Sequence, residues 1–248
     1  MNNKTYRDQA IVLRTQDLGE ADRVITLLTP NHGKIRAVAR GVRKTKSRFG
    51  ARLEPFSYID LQLYTGRSLD VITQVESINA YHRTIITNYH VYTSAMALLD
   101  TIDHLMEQEG EPDLAQFTLL HGAVHAMATG AHLPDLILNS YILRAMRMAG
   151  WELAVFECAV CGIVGPHQAM NVALGGAVCD MCKVSGGLTP AIETWQLLGA
   201  LLVGDWKIAD LAALPTRRQA SGIISAFLQW HLEHPMKSLR YVHSRLIS

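Results

Sequence analysis

The sequence has no apolar run long enough to cross a bilayer. Its longest apolar stretches are interrupted by Asp, Glu, His or Arg before they reach the roughly 18 residues that a spanning helix needs. The first ten residues, MNNKTYRDQA, contain no apolar core, which argues against a signal peptide or a lipid anchor. We therefore expect a cytoplasmic protein with no membrane partner.

The common motifs of nucleotide-binding and hydrolytic enzymes are also missing. No Walker loop, G-x-G-x-x-G or G-x-S-x-G occurs. His121 and His125 lie four residues apart in HGAVH, but the glutamate of H-E-x-x-H is absent, so we interpret them as hydrogen-bonded histidines on a helix face. Asp100, Asp103 and Glu107 fall on one helical face, which we interpret as solvated. The chain is not expected to be an enzyme.

Cysteine is absent outside one short window. Cys158 and Cys161 form a C-x2-C pair, and Cys179 and Cys182 form a second pair after a spacer of 17 residues. Two such pairs can close a tetrahedral shell of four thiolates around Zn²⁺. One C-x-x-C alone could be a redox pair, but two at this spacing favour a metal. Because four cysteines leave no position for water, we expect one structural zinc ion rather than a catalytic one.

Two further residues belong to the cysteine window. Gly162 directly follows the first pair, where a tight turn often requires a backbone conformation that only glycine adopts easily. His167 lies in the spacer and could replace a cysteine as a ligand, although an exposed loop histidine is the simpler interpretation.

Acidic residues are absent from positions 34 to 52, which carry eight Lys or Arg residues on a chain of net charge +1. Residues 1–80 contain 13 basic and 8 acidic side chains, whereas the remaining residues contain 10 basic and 14 acidic ones. Charge of one sign concentrated in one segment usually serves an anionic partner. The asymmetry also favours two domains.

Periodicity predicts an antiparallel β-barrel in residues 1–80. The segments QAIVLRT, RVITLLT, KIRAVAR, FSYIDLQLYT and LDVITQVESI alternate or are rich in β-branched residues, and Gly-containing or polar turns separate them. Five short strands in about 75 residues fit an OB-type barrel, although an SH3-like barrel has a similar pattern. The basic residues after Gly41 are predicted to form a loop.

From about Tyr81 onwards, apolar residues recur at helical spacing. Helices are predicted over YHVYTSAMALLDTIDHLME, from Pro112 to Met127, over LPDLILNSYILRAMRMAG, from Pro190 to Leu202, over a short segment after Asp205, and from Pro215 to about His234. The tail MKSLRYVHSRLI could add a last one. The predicted fold class is therefore α+β, with a helical domain at 81–248 that carries a zinc finger at about 156–184.

The basic segment permits two interpretations. Lys34, Arg36 and Arg40 could simply be the solvent face of a strand that leads into a solvated loop. Alternatively, strand and loop form a cationic groove for nucleic acid, as OB barrels often do. We favour the groove, in which phosphate contacts would give binding without sequence specificity. The aromatic residues nearby are expected to lie mostly in the core: Phe49, Phe56, Tyr58 and Tyr64. A zinc-containing RNA-binding or transcription-associated OB module is the alternative.

The same residues resemble the bacterial recombination mediator family RecO. The likeness lies in LGEADR (Leu18–Arg23) and in TLLTPNHGKIRAVARGVRKTKSRFGARLEPFS (Thr26–Ser57). In the cysteine window, Gly175-Gly176 before the third cysteine is similar to many members. The helical remainder is similar in order and composition but has no sharp motif.

This resemblance implies an N-terminal OB barrel joined to a helical domain with a zinc finger. It also implies binding of single- and double-stranded DNA, annealing of complementary strands without ATP, and help in loading RecA onto strands coated by single-stranded DNA-binding protein. The partners it implies are RecR and the acidic C-terminal tail of single-stranded DNA-binding protein. It also implies that the protein associates with the nucleoid.

The resemblance also assigns sites. For the DNA surface it implies Lys34, Arg36, Arg40, Arg43, Lys44, Lys46, Arg48 and Arg52. For the acidic tail, which this family binds on its helical domain, we expect Arg144 and Arg147, since an acidic peptide requires a cation beside an apolar groove.

Overall fold

The computed structural model describes residues 4–232, 236–239 and 242. It confirms the α+β class, because a five-stranded barrel is followed by helices. The strands of the barrel are β1 (Thr5–Leu18), β2 (Asp22–Thr29), β3 (Gly33–Ala39), β4 (Ser57–Tyr64) and β5 (Asp70–Ala80).

The strands close into a barrel in the order β1-β2-β3-β5-β4. β1 pairs with both β2 and β4 in antiparallel register, and β4 pairs with β5 along its whole length. The closing contact is a short parallel pairing of β3 with β5, at Ala37↔Asp70 and Val38↔Val71. Five strands connected in this way form an OB-type barrel.

Alternation in sequence explains the interior of the barrel. In β4, every second side chain from Ser57 to Leu63 is buried, as expected for a strand with one face on a core. Ile25, Leu61 and Leu63 are no more than 1% exposed and lie in the same cluster. Phe49, which is 1% exposed, enters this cluster from the loop between β3 and β4.

The helical part follows directly after β5. Its elements are α1 (His82–Ile85), α2 (Tyr89–Leu105), α3 (Leu114–Thr129), α4 (Pro134–Met148), the short strands β6 (Ala169–Asn171) and β7 (Gly176–Val178), α5 (Ile192–Val203), α6 (Trp206–Ala209) and α7 (Leu214–Leu232).

Local sequence explains most of the helix ends. The side chain of Asn88 accepts hydrogen bonds from the backbone N–H groups of His90 and Val91, and so caps α2. Pro134 occupies the first turn of α4, where its missing N–H costs nothing. Gly130 and Gly204 end α3 and α5 in the left-handed conformation.

Barrel and helices share one apolar core. Ile11 and Leu28 of the barrel belong to the same buried cluster as Leu98 of α2 and Tyr141 of α4. Phe56 also joins this cluster, and its ring meets Tyr92 edge-on at 6.1 Å between centroids. The two parts therefore pack as one unit through the outer face of β1, β2 and the start of β4.

The C-terminal predictions are only partly covered. α7 is described as far as Leu232, and the expected end near His234 and Pro235 lies outside the described residues. Lys237–Leu239 are helical, as predicted for the tail, and most of the remaining tail lies outside the described residues. Among the described helices, none is both long and apolar enough to span a membrane.

Candidate nucleic-acid interface and metal centre

The four cysteines come together between α4 and α5. The sulphur atoms of Cys158, Cys161, Cys179 and Cys182 all lie within 4.8 Å of one another. Sγ of Cys161 and Sγ of Cys179 are 3.8 Å apart. Bonds of about 2.3 Å to a central Zn²⁺ would place two tetrahedral sulphurs about 3.8 Å apart. The cluster could therefore hold one metal ion, as the spacing predicted.

Each pair of cysteines sits on a tight turn. The backbone N–H of Gly162 donates to the carbonyl of Cys158 at 2.8 Å, and Gly162 has φ +74°. This positive φ confirms the conformational role expected of Gly162. In the second turn, the N–H of Cys182 donates to the carbonyl of Cys179 at 3.1 Å. Both turns thus direct their sulphurs to one point.

Electrostatics within the cluster favour a bound cation. Hydrogen bonds from backbone N–H groups, first that of Cys179, lower the pKa of the Cys158 thiol to about 6. Hydrogen bonds with the other cysteine side chains raise the pKa of Cys182 to about 12. One thiolate is therefore stabilised by the fold alone, whereas four together require a positive ion.

Glycines set the backbone that carries the third cysteine. Gly175 and Gly176 have φ of +98° and +137°. A Cβ on Gly176 would lie 2.3 Å from the carbonyl oxygen of Ala154, where the chain passes closely.

His167 contributes no ligand atom to the cluster, and its Nε2 lies 2.9 Å from the carbonyl oxygen of Ile163. It is therefore a loop histidine, as we expected.

Two of the residues expected to bind DNA are neutralised by the helical part. Lys34 is 7% exposed, and its Nζ donates to the backbone oxygen and to Oδ1 of Asp103, at 2.7 and 3.1 Å. Nε of Arg36 donates to Oε1 of Glu109. Two expectations are therefore wrong. Lys34 does not lie on an open cationic surface, and Asp103 does not lie on a solvated helix face.

The loop after β3 is different. Arg40, Lys44, Lys46 and Arg48 are exposed, and in the part of the chain that the structure describes none has a carboxylate within 4.0 Å. The guanidinium of Arg48 lies over the ring of Phe49, at 4.8 Å from its centroid. These four side chains give the loop at residues 40–48, hereafter the basic loop, exposed and unpaired positive charge.

The basic loop is held in place at both of its ends. Near its start, the N–H of Gly41 donates to Oδ1 of Asp22 at 2.7 Å. Arg43 donates from its backbone to Ala21 and from its guanidinium to Gly19, and it lies 3.4 Å from Asp17. Arg43 therefore fixes the loop to the β1–β2 turn and has less freedom than its neighbours to meet phosphate.

At the other end, the loop passes into a 3-10 helix at Gly50–Leu53. Phe49 and Leu53, both at most 2% exposed, anchor this helix in the barrel core. Because the loop is pinned on both sides, its cations are presented on an ordered backbone. An ordered backbone lowers the conformational entropy lost when a ligand binds.

Arg52 shares a cleft with Arg83, a residue that the sequence analysis did not predict to bind DNA. Arg52 and Arg83 line one cleft of about 480 Å³, together with residues of β5. Arg83 is exposed and stands in α1, outside the basic segment. Sequence patterns contain no signal for this pairing, because a lone arginine after a strand has no distinctive spacing.

Aromatic side chains take the roles that alternation predicts. Phe49 and Phe56 are each 1% exposed and belong to cores. Tyr58 is half-buried, and its ring lies 4.4 Å from that of His121. Tyr64 is 39% exposed, which leaves it as the one of the four that could stack on a base.

His121 and His125 are joined by a tyrosine. The hydroxyl of Tyr81 lies 3.2 Å from Nε2 of His121 and 3.3 Å from Nδ1 of His125. Burial, and to a lesser extent His125, lowers the pKa of His121. The pair is hydrogen-bonded on a helix face at the contact between barrel and helices, as we interpreted it.

The two arginines expected to bind an acidic tail lie in different places. Arg144 lines a groove of about 690 Å³ whose other lining residues are largely apolar, among them Leu119, Ile137 and Trp206. Arg147 is exposed, is not among the residues that line this groove, and lies 3.3 Å from Glu152. The structure thus places only Arg144 beside an apolar surface.

Barrel, basic loop and cysteine-bearing helical part define a class of two-part proteins with an OB barrel and a cluster of four cysteines that could hold a metal ion. Comparison with known protein families identifies one family within this class. The family description "Recombination protein O N terminal" matches residues 1–81, and "Recombination protein O C terminal" matches residues 86–240. The chain belongs to the recombination protein O (RecO) family.

Three relatives are similar over nearly the whole length. The DNA repair protein RecO of Thermobifida fusca is 51% identical over 96% of this chain and 98% of its own. Those of Streptomyces coelicolor and of a Nocardioides species are each 49% identical, again over 96% of this chain and 98% of the relative.

Proposed function

We propose that this protein is a DNA repair and recombination mediator without enzymatic activity. It binds single- and double-stranded DNA without sequence specificity, anneals complementary strands without ATP, and helps to load RecA onto strands coated by single-stranded DNA-binding protein. The family membership and the names of the relatives support the repair role.

The observation that carries the DNA-binding proposal is the basic loop. Acids of the helical part pair with Arg14, Lys34 and Arg36, whereas Arg40, Lys44, Lys46 and Arg48 have no carboxylate within reach in the described chain. Exposed unpaired cations on an ordered loop are suited to phosphate, whose contacts supply most of non-specific affinity. Such contacts give no sequence preference.

The test is a charge-neutralised loop. We would change Arg40, Lys44 and Lys46 to Gln and leave Arg48, because its guanidinium stacks on Phe49. Each phosphate contact contributes about 0.9 to the log–log salt slope for duplex and about 0.7 for a single strand. Fluorescence anisotropy at several salt concentrations should therefore show slopes reduced by about 2.7 and about 2.1.

The matched control changes three exposed lysines elsewhere to Gln: Lys4, Lys183 and Lys207. It alters the net charge equally but leaves the basic loop intact, so its salt slopes should equal those of the unmodified protein. Equal slopes for the two triple variants would refute the loop as the DNA site. A strong preference for structured RNA over both DNA forms would instead favour an RNA-binding module.

Strand annealing follows from the same charges. Two complementary strands repel each other, and a protein that neutralises phosphates on both lowers this repulsion. We expect labelled complementary oligonucleotides to anneal faster with the protein and without ATP, and the loop variant to lose most of this acceleration. An unchanged annealing rate in the loop variant would separate annealing from the basic loop.

The groove at Arg144 is proposed to bind the acidic C-terminal tail of single-stranded DNA-binding protein. A cation beside an apolar surface suits a short acidic peptide. Arg144→Glu should weaken binding of the synthetic tail peptide in calorimetry. Arg147→Glu is the matched control and should bind normally, because Arg147 is paired with Glu152 and does not line the groove.

The metal is proposed to be one structural zinc ion. Cys158, Cys161, Cys179 and Cys182 would hold it, and it would supply the cation that lets four thiolates coexist. RecR is proposed as a further partner on the basis of the family alone. Elemental measurement on purified protein should find about one zinc per chain.

A further inference from the structure

A cleft lies where the basic loop approaches the start of the helical part. Its volume is about 480 Å³, and its walls come from the 3-10 helix Gly50–Leu53, from β5 and from α1. Arg52 enters it from the 3-10 helix and Arg83 from α1. The cleft therefore joins the barrel to the helical part on the side of the basic loop.

Barrel topology explains why the cleft exists. β3 pairs with β5 only at Asp70 and Val71, so in the described chain the rest of β5 has a strand partner on one side only. The segment between β3 and β4 covers this gap, and its 3-10 helix contacts β5. Val75 and Ser77 of β5 remain as lining of the cleft. Unpaired strand edges of this kind are available to a ligand.

Charge in the cleft is mainly positive and free. One terminal nitrogen of Arg52 donates to the carbonyls of Arg48 and Phe49, at 3.1 and 3.3 Å, which fixes the guanidinium while leaving its other N–H groups available. Among the ion pairs of the described residues, neither Arg52 nor Arg83 has a carboxylate partner.

The other titratable groups of the cleft do not cancel these charges. Glu76 lines it, but its side chain is 79% exposed and lies 4.0 Å from Arg7. His82 also lines it and is 8% exposed, with Nδ1 at 3.1 Å from the hydroxyl of Ser57. Burial lowers the pKa of His82, so it is a neutral wall of the cleft near pH 7.

We propose that this cleft binds the phosphodiester backbone of single-stranded DNA that continues from the basic loop, with Arg52 and Arg83 as phosphate ligands. The proposal rests on the DNA-binding function and adds the path of the strand. Clefts of about 300–1,000 Å³ accept one small ligand, which matches a nucleotide and is far too small for a duplex. A guanidinium recognises phosphate through paired N–H donors.

The test compares Arg83→Gln with Lys207→Gln, which removes one exposed cation from α6, away from the barrel. Anisotropy with a labelled oligo-dT strand and with a hairpin duplex would be measured at several salt concentrations. Arg83→Gln should bind the single strand about tenfold more weakly, as expected for one lost charged hydrogen bond. Its single-strand salt slope should fall by about 0.7.

Two results would overturn the proposal. If Arg83→Gln has the same affinity and salt slope as Lys207→Gln, Arg83 is not part of the DNA site. If Arg83→Gln loses as much affinity for the duplex as for the single strand, the cleft is not a path for single strands. Arg83→Lys keeps the charge but loses the paired N–H donors, so it should restore the salt slope and only part of the affinity. The triple loop variant in the same assay separates the cleft proposal from the DNA-binding proposal. If that variant loses affinity while Arg83→Gln binds normally, the cleft is refuted and the basic loop remains the DNA site.

Discussion

Lys34 and Lys44 are ten residues apart in one uninterrupted basic segment, yet they have opposite environments. Lys34 is held in the contact between barrel and helices by Asp103, whereas Lys44 is exposed on the basic loop. The difference arises because Lys34 lies in β3, whose outer face meets α2 and the loop after it. A charge run therefore specifies an anionic partner only for those members that the fold leaves unpaired.

Substitution of each lysine by methionine should separate these roles. Lys34→Met should leave DNA affinity and salt slope unchanged, because its ammonium does not reach solvent phosphate. Removing one partner of a buried ion pair costs stability, so Lys34→Met should also unfold more easily, although Arg14 remains 3.4 Å from Asp103. Lys44→Met should lower the duplex salt slope by about 0.9. A weakened slope in Lys34→Met, measured by anisotropy, would contradict this assignment.

One buried and one half-buried histidine, His82 and His121, predict how the free energy of unfolding depends on pH. Burial lowers the pKa of His82 and of His121 from the usual value of 6.5. Well above pH 6.5 both are mainly neutral in the folded and the unfolded chain. As the pH falls below this value, the unfolded chain gains protons that the folded one resists, so the free energy of unfolding decreases. Urea unfolding between pH 7.5 and pH 5.5 should show this loss.

A double variant tests the origin of that loss. His82→Gln with His121→Phe removes both imidazoles, and Phe keeps a ring against Tyr58. Its free energy of unfolding should change less between pH 6.5 and pH 5.5 than that of the unmodified protein. An equal change in both proteins would assign the pH dependence to other groups.

At the scale of elements, periodicity was sufficient for the five barrel strands and the longer helices, but it did not predict α1, β6 and β7. The alternation in SYIDLQLY produces a strand with one buried face, and Asn88 and Pro134 begin helices where such residues are expected. The spacing of the cysteines predicted the cluster, because two C-x2-C turns close on a point regardless of the surrounding fold.

Contacts between distant elements could not be predicted in this way. The acid that neutralises Lys34 is Asp103, 69 residues away, on a helix whose pattern alone marks that face as solvated. Likewise, the cleft at Arg52 and Arg83 depends on where β3 stops pairing with β5. Such features arise from packing of whole elements, and no local residue pattern records them.

Removal of the metal should destabilise only the cysteine-bearing segment between α4 and α5. Chelation of the proposed zinc ion, or Cys158→Ser, should leave the remaining thiols without the cation that would hold them together. Hydrogen exchange should then accelerate between residues 149 and 191, while amides of β1 and β4 keep their protection, because the barrel has its own apolar cluster. Faster exchange throughout the barrel would show instead that the metal supports the whole chain.

At the scale of the whole molecule, one close approach ties barrel and helices together. Gly33, the first residue of β3, has φ +64°, and the loop between α2 and α3 passes so near that a Cβ would lie 2.0 Å from the carbonyl oxygen of Glu111. The N–H of Gly110 donates to the carbonyl of Lys34 at 3.0 Å in the same contact. Together with the shared apolar core, this contact fixes the domain arrangement on which the cleft depends.

Gly33→Ala should therefore disturb the contact between the two parts, and Gly19→Ala is its matched control. Gly19 has nearly the same φ, +61°, but nothing lies within 4 Å of its Cβ position. Both substitutions incur the cost of left-handed backbone, about 1–2 kcal/mol. Only Gly33→Ala adds a clash with rigid backbone, which should cost about 1–3 kcal/mol more in urea unfolding. Equal losses in the two variants would mean that the α2–α3 loop yields freely, and the barrel would then be only loosely held by the helices.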